Sequence, residues 1–425
     1  MKRNHCIVFD PIPYHGGSKV ATQLAMQWTN SHTHYYILSA SKHSWQKPHT
    51  THSHTRYFCL PQCLARCTQG QGYWLKQLFL MLYLALFTAY VAISTRCKPV
   101  SLLLASGPGV DFAGYVIGHI FALQIIQLIH GPVGKSRATK WCLTQGYPTF
   151  YLPAAQSSLR HCLQLTHNQS LPHHLNIFVN GLDDAHYPTL HRFCHTTPQV
   201  QFYWAASLLK WKGLDLLLQA HNMTQWQNKS ALHICYIRPA VGQAEQSAID
   251  PTLSGVHWYH EPNNLDAIRA QCDVYISTSI NEPFGLSTLE ALAAGLIVLI
   301  PRDGAFWDTQ LQDGVHCLKY DSNNANSLNE CMQSLTHNLA RLQPIAQQGR
   351  KIAARYLAKQ TYAAICNAID TAPNKKAMAK RHYHASSSLQ KHAQHAHLPP
   401  VPSAQHHLKP QQLKKCSPHN TGEQQ

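Results

Sequence analysis

"CDVYISTSINEPFGLSTLEALAAGLIVLIP", residues 272–301, contains the pattern that predicts the fold of this 425-residue chain. An apolar strand, DVYIST, runs into a polar loop that contains Gly285. A helix is predicted to begin at about Leu286 and to end before Gly295, because glycine suits the left-handed position that follows a helix. The apolar run LIVLIP then forms the next strand. Strand, loop, helix and strand in this order indicate a βαβ unit with parallel strands.

The same alternation runs through most of the chain and predicts an α/β protein with two Rossmann-like domains, residues 1–185 and 186–370. The second domain is expected to include the terminal helix. Ligands of such sheets bind outside the carboxyl ends of the strands, so a cleft between the domains is the expected site. Residues 371–425 are rich in His, Gln, Pro and Lys and show no apolar periodicity, which predicts a disordered tail. Strands are predicted at 6–10, 34–40, 100–106, 123–131, 200–207, 231–237 and 272–278, and the first helix at Val20–Thr29.

The chain is strongly basic, with 35 Lys or Arg against 19 Asp or Glu and a formal charge of +16. From Thr371 onward there are eight basic residues and one acid, so the tail carries +7 and the rest of the chain +9. This balance favours anionic partners, namely nucleotide phosphates, an anionic membrane surface or nucleic acid. Nucleic acid is the weakest of these, because nearly half of the excess charge lies in the tail and no nucleic-acid fold signature appears. We therefore expect no nucleic-acid partner.

The fourteen cysteines are scattered, and the first residues, MKRNHCIVFDPIPY, have the pattern of a short strand and not of a signal peptide. Free thiols in a cytoplasmic protein are the simpler expectation. Cys59, Cys63 and Cys67 have C-x3-C-x3-C spacing, which is not a standard zinc spacing, so we expect no structural metal there.

The apolar segment LFLMLYLALFTAYVAI, residues 78–93, is the one candidate for membrane contact. As a helix of this length it would extend about 24 Å, less than the roughly 30 Å of a hydrocarbon core. A buried or membrane-dipping helix is therefore expected in preference to a spanning one. The basic surface together with this helix suits peripheral contact with an anionic membrane.

Glu282 and Glu290 stand eight positions apart around the predicted start of the helix. Ser287 and Glu290 have the S-x-x-E spacing of a capping box, and this local role is one interpretation of Glu290. The other is a ligand site, because the loop and the positive helix end form an anion site suited to phosphate. Two carboxylates beside such a site would bind the ribose and the hexose of a nucleotide sugar.

This stretch resembles the E-x7-E motif of retaining glycosyltransferases with the GT-B fold, of the family-4-like, group 1 type. Further similarities occur in the family's order over about 140 residues. They are VNGLD (179–183), WAASLLKWKGLDLLLQA (204–220), CDVYISTSINEPFG (272–285) and DGVHCLKY (313–320). The resemblance implies the GT-B architecture, with two Rossmann-like βαβ domains facing a central cleft. It also implies transfer of a hexose from a nucleotide-diphosphate sugar to a glycan or lipid-linked acceptor, in polysaccharide or lipopolysaccharide synthesis. A metal-independent reaction without a cofactor is expected.

The resemblance also implies residue roles. Glu290 would hold the ribose hydroxyls, Glu282 the hydroxyls of the donor sugar, and Lys212 would neutralise the departing phosphates. The remaining implied site residues are His130 near the reacting sugar, the glycine pair Gly16 and Gly17 near the donor, and the backbone N–H groups of Phe284, Gly285 and Leu286 at the diphosphate. Ordinary alternatives exist: Gly16 and Gly17 as a turn, Lys212 as a solvated loop lysine, and His130 as one of 31 histidines.

Two departures from the family pattern qualify the resemblance. The family's Gly-Arg before Lys212 falls on Ala206 and Ser207, so one of two diphosphate cations is missing unless Lys210 replaces it. The glycine-rich loop after the strand at 231–237 reads RPAVG, which leaves recognition of the base open. A catalytically weak or inactive homologue that binds nucleotide sugars or glycans is the alternative function.

Overall fold

The structure is a computed structural model that describes residues 4–13, 16–45, 52–65, 67–166, 168–183, 187–190, 199–223, 230–239 and 245–371. The predicted tail therefore lies outside the described residues, as does part of the RPAVG loop. The two sheets described below belong to one compact unit.

The first sheet has seven strands in the order β3-β2-β1-β4-β5-β6-β7, and all its neighbouring strands are parallel. Its strands are β1 (Asn4–Asp10), β2 (Thr33–Ser39), β3 (Ser53–Tyr57), β4 (Ser101–Leu104), β5 (Gln124–Ile129), β6 (Thr149–Tyr151) and β7 (Leu175–Ile177). Its helices are α1 (Gly17–Gln27), α2 (Gln62–Ala65), α3 (Gly70–Thr95), α4 (Phe112–Ile120), α5 (Arg137–Leu143) and α6 (Gln156–Leu163).

The second sheet has six parallel strands in the order β10-β9-β8-β11-β12-β13. Its strands are β8 (Val200–Ser207), β9 (Ser230–Ile237), β10 (Val256–His260), β11 (Val274–Ile276), β12 (Ile297–Arg302) and β13 (Leu318–Asp321). The helices that follow β8 are α7 (Leu214–Asn222), α8 (Leu265–Ala270), α9 (Leu286–Ala294), α10 (Phe306–Gln310), α11 (Ala325–Asn338), α12 (Gln343–Ala353), α13 (Ala358–Thr361) and α14 (Ala363–Thr371).

The central strands of both sheets are buried on both faces, which explains why these strands read as nearly continuous apolar runs. In β8, Phe202 and Trp204 pack into one core cluster and Tyr203 into another, so successive side chains point to opposite faces. The strand order reverses between β1 and β4 in the first sheet and between β8 and β11 in the second. These switch points place a crevice outside the carboxyl ends of the strands.

The predicted two-sheet α/β fold is confirmed, and α9 has the predicted limits. Gly285 before the helix and Gly295 after it both have φ of +79°, a conformation that favours glycine. The first helix, by contrast, begins at Gly17, three residues before the predicted Val20.

The last described helix, α14, returns to the first domain. The Cys366 thiol donates to the Ala25 carbonyl of α1 at 3.3 Å, and Asp370 accepts from the Asn30 N–H at 3.0 Å and the Thr33 hydroxyl at 3.0 Å. The terminal helix, assigned from the sequence to the second domain, therefore packs against α1 and β2.

The apolar helix α3 is longer than the predicted segment 78–93. It has 26 residues and so extends about 39 Å, and by length and composition it is the one described helix able to cross a membrane. The prediction that it is too short to span is therefore wrong. One face is nevertheless part of the first domain, because Leu80, Leu84 and Val91 are completely buried in its core.

Candidate active site

The loops that follow β8 and β11 meet at the switch point of the second sheet. Lys212, in the first loop, forms an ion pair with Glu282 in the second, and both side chains are 18% exposed. The Lys212 ammonium also lies 4.1 Å from the centroid of the Trp211 ring. The structure thus brings together two of the predicted site residues that are 70 positions apart in the chain.

Gly213 and Thr278 hold these two loops in register. The Thr278 hydroxyl donates to the Lys212 carbonyl at 2.8 Å and accepts from the Trp204 indole N–H at 2.9 Å. Gly213 has φ of +74°, and a Cβ there would lie 2.1 Å from the Thr278 carbonyl oxygen. Only glycine fits this close backbone approach. Gly213 therefore lets the loop after β8 pack against Thr278, and this contact fixes the position of the neighbouring Lys212.

The amino end of α9 is open to an anion. Its N-cap is Gly285, which has no side chain that could cap the helix. The first N–H groups of a helix have no intrahelical partners and carry a partial positive charge, so this end can bind phosphate. The Trp307 indole N–H fixes the Gly285 carbonyl at 3.0 Å. The side chain of Phe284 is buried against Phe306 and Trp307, so its site role is confined to the backbone.

Glu290 does not form the capping box that the S-x-x-E spacing predicted. Because Gly285 is the N-cap, Ser287 and Glu290 lie inside the helix, and Glu290 accepts from Arg269 of α8 at 2.5 Å. Arg269 is 5% exposed and also donates to Asp266 at 2.8 Å. Burial lowers the pKa of the Arg269 guanidinium, but the charges of Glu290 and Asp266 outweigh burial and the net pKa is raised. Arg269 therefore orients the Glu290 side chain, which remains 30% exposed.

Loops of the first domain lie opposite this region. A Cβ added to Gly17 would lie 3.6 Å from Leu286 Cδ1, and one added to Gly131 would lie 3.9 Å from Pro283 Cγ. The glycine pair after β1 and the His130 loop after β5 therefore line the same cleft as Glu282 and α9. Gly16 has extended backbone with φ of −172°, so the chain conformation at this position does not require glycine.

His130 is an unpaired histidine at this cleft. Neither ring nitrogen has a hydrogen-bond partner among the described residues, both are inaccessible to solvent, and the ring packs edge-on against Phe178 at 5.5 Å. Burial lowers its pKa to about 4. His130 is thus neutral near pH 7, and its two unpaired ring nitrogens are both covered by protein.

A pH dependence of stability follows from His130. At His130 the folded protein binds fewer protons than the unfolded chain between pH 4 and the ordinary histidine pKa of about 6.5, so the contribution of His130 lowers the free energy of unfolding as the pH drops through this range. We expect this loss to be smaller in His130→Gln, by up to about 3 kcal/mol at pH 4. Urea unfolding of both proteins at pH 7 and pH 4.5 measures it. An identical pH slope in both would show that His130 is not buried as described.

Lys210, the candidate replacement for the missing family cation, is paired with an acid. Ser207 ends β8 half-buried, and the Lys210 ammonium pairs with Asp215 at 2.9 Å, an acid that also accepts from Ser247 at 2.9 Å. Lys212 is therefore the predicted phosphate cation that the structure places beside Glu282.

Sequence reasoning missed Arg269 and a second buried pair near the glycine loop. Lys19 of α1 is buried, pairs with Asp10 at 2.8 Å and donates to the Ile12 carbonyl at 2.6 Å, which ties α1 to the end of β1. Burial lowers the pKa of Lys19, although the charge of Asp10 opposes that shift. The lone acid at the end of β1 was a signal for a buried partner, whereas nothing local indicated that Arg269 would reach Glu290.

Comparison with known proteins places this geometry in context. Residues 195–352 match the family "Glycosyl transferases group 1". The structure resembles that of Anabaena HepE in complex with UDP and glucose, with a TM-score of 0.63 and 13% identity over 86% of this chain and 99% of that one. It resembles a glycosyltransferase from Rickettsia africae with a TM-score of 0.65 and 10% identity over 88% of this chain and 100% of that one. It also resembles WaaG, a glycosyltransferase involved in lipopolysaccharide biosynthesis, with a TM-score of 0.57 and 13% identity over 86% and 99% of the two chains.

A comparison with curated proteins gave no significant match. The fold and the cleft define a GT-B protein. Within that class, the match of residues 195–352 to the glycosyl transferases group 1 family agrees with the group 1 resemblance seen in the sequence.

Proposed function

We propose that this protein is a retaining hexosyltransferase that uses a nucleotide-diphosphate sugar as donor. The carrying observation is the pairing of Lys212 with Glu282 beside the uncapped amino end of α9, at the switch point of the second sheet. This arrangement provides a fixed cation, free backbone donors and a carboxylate within one cleft. These are the groups needed to bind a diphosphate next to a sugar.

The proposed reaction is a front-face displacement at the anomeric carbon of the donor. The bond from that carbon to the diphosphate oxygen breaks, and the acceptor hydroxyl oxygen bonds to the carbon on the same face. The hydroxyl proton passes to an oxygen of the departing diphosphate. Lys212 and the amino end of α9 stabilise the charge on that leaving group, as groups already in place when the charge develops. The proposed scheme needs no metal.

The carboxylates and His130 position the sugars in this scheme. Glu282 contacts hydroxyls of the donor hexose, Glu290 holds the ribose hydroxyls and is itself oriented by Arg269. For His130, which is neutral and unpaired, we propose a hydrogen bond to the hexose near the reacting carbon that forms when donor binding uncovers a ring nitrogen. Gly16 and Gly17 let the first-domain backbone approach the donor.

The relatives support a role in surface glycans. The HepE structure contains UDP and glucose, and WaaG acts in lipopolysaccharide biosynthesis. On this basis we propose a glycan or lipid-linked acceptor in polysaccharide or lipopolysaccharide synthesis, and a cytoplasmic enzyme peripheral to the inner face of the cell membrane.

One observation favours a second candidate, an inactive or weak homologue that binds nucleotide sugars. Ser207 stands where the family has arginine, and the nearby Lys210 is engaged by Asp215. With one cation in place of two, we expect the leaving group to be less stabilised by roughly a few kcal/mol. This is about the effect of losing one oxyanion donor.

Nucleotide release with UDP-, GDP- and ADP-sugars and a glycan acceptor tests the proposal. The parent protein is expected to turn over one of these donors. Glu290→Gln and Glu282→Gln are each expected to raise the KM for this donor or to lower kcat about ten- to a hundredfold, which is the effect of losing one charged hydrogen bond. Glu330→Gln, an exposed glutamate on α11, is the matched control and should behave as the parent protein. Donor binding without release would favour the second candidate, and unchanged kinetics in both site variants would refute the site.

A further inference from the structure

Helix α3 has two apolar faces, and only one of them is covered. The covered face includes Leu80, Leu84 and Val91, each completely buried. The opposite face carries large apolar side chains at intervals of three, four and seven residues, which places them on one side of the helix. The exposed fractions reach 59% for Leu78, 56% for Leu82 and 78% for Ile93. The outer stripe consists of Leu75, Leu78, Phe79, Leu82, Leu86, Tyr90 and Ile93.

A groove runs between the outer stripe and the edge strand β3. It has a volume of about 540 Å³, and most of its lining is apolar. The lining also includes Arg56, whose guanidinium lies over the Tyr90 ring, 5.7 Å from its centroid, and donates to the Tyr90 hydroxyl at 3.3 Å. The apolar lining includes Leu38, Phe58, Tyr83, Leu86 and Phe87. An open apolar groove with a guanidinium in its lining suits a phospholipid, with the acyl chain against the apolar side chains and the phosphate on Arg56.

The charge of the first domain matches such a ligand. Residues 1–182 contain fourteen Lys or Arg and only two acids, Asp10 and Asp111. Both acids are buried, at 5% and 0% exposure, so this part of the chain presents no carboxylate on its surface. Residues 183–370 contain thirteen basic residues and sixteen acids. The excess charge outside the tail therefore belongs entirely to the domain that carries α3.

We propose that the outer stripe of α3 lies on an anionic lipid bilayer, with an acyl chain in the groove and a lipid phosphate on Arg56. The helix lies on the bilayer and does not cross it, since its inner face is part of the domain core. A lipid surface fits better than a second copy of the chain, because two surfaces without acids repel each other. This inference does not depend on the proposed transfer reaction.

Vesicle co-sedimentation of the full chain tests the docking surface. The parent protein is expected to bind vesicles of phosphatidylglycerol and phosphatidylcholine, to bind phosphatidylcholine alone much more weakly, and to dissociate as salt rises. Leu78→Ser combined with Leu82→Ser is expected to lower the partition coefficient about a hundredfold, roughly tenfold for each leucine removed from lipid. Ile177→Ser combined with Met223→Ser changes two exposed apolar residues away from α3 and should bind as the parent does.

A second measurement needs no change in the stripe. Trp74 is 51% exposed at the start of α3, so brominated lipid should quench part of the tryptophan fluorescence, and Trp74→Phe should remove that part. Undiminished binding of the leucine variant would overturn the proposal and assign vesicle binding to charge elsewhere, including the basic tail. A parent protein that ignores anionic vesicles but dimerises through this face, becoming monomeric in the leucine variant, would overturn it in favour of a contact between copies.

Discussion

Replacing Lys212 by methionine is expected to lower the turnover of donor sugar about 10²- to 10³-fold, the scale of removing one preorganised charge from a leaving group. Methionine keeps most of the length of the side chain and removes its charge. The effect should appear mainly in kcat, because the charge that Lys212 neutralises grows as the diphosphate departs. Single-turnover kinetics at saturating donor, together with donor affinity measured by calorimetry, separates chemistry from binding.

Lys210→Met is the matched control, since it removes a lysine two positions away that is paired with Asp215. It is expected to leave kcat within a few-fold of the parent value, because exposed pairs of this kind contribute about 1 kcal/mol or less. Equal losses in both variants would mean that general loop charge, and not the placed Lys212 ammonium, supports transfer. A Lys212→Met variant with full activity would remove Lys212 from the mechanism.

Gly213→Ala is expected to have the largest effect on stability of any single methyl addition near the cleft. A Cβ at this position would overlap the Thr278 carbonyl oxygen at 2.1 Å, and a backbone φ of +74° is unfavourable for alanine. Strain and overlap together should lower the free energy of unfolding by about 3 kcal/mol. Relief of the overlap requires the loops after β8 and β11 to separate, so activity should fall with stability. Urea unfolding and the kinetics above measure the two effects.

Gly304→Ala separates the two causes, because Gly304 has the same φ of +74° but has open space where a Cβ would lie. It is expected to cost about 1 kcal/mol, the part due to backbone conformation alone. If Gly304→Ala and Gly213→Ala destabilise the protein equally, the close approach to Thr278 is not the source of the cost.

Strand β3 and the start of helix α3 were not predicted, and both show where the local sequence pattern is insufficient. Strand β3, SHTRY, is polar and mostly exposed at the edge of the first sheet, so it lacks the apolar alternation that identifies a strand. Helix α3 begins with polar residues and two glycines, Gly70 and Gly72, which do not predict a helix start. The order of the apolar strands and the predicted fold class were unaffected, because those depend on the buried central strands.

The sequence alone determined the alternation of strands and helices, the limits of α9 and the choice of Lys212, Glu282 and Glu290 as candidates. The alternation, the limits of α9 and the choice of Glu282 and Glu290 depend on local chemistry, namely apolar runs, glycines at left-handed positions and charges beside a helix end. Lys212 was chosen from the resemblance to group 1 glycosyltransferases. The partners of those charges were decided by tertiary structure. Glu290 matched a capping box by spacing, but Gly285 became the N-cap and Arg269 of α8 took the carboxylate. Lys212 met Glu282 across 70 residues because β8 and β11 are neighbours in the sheet. Strand order and helix packing set such contacts, and spacing along the chain does not encode them.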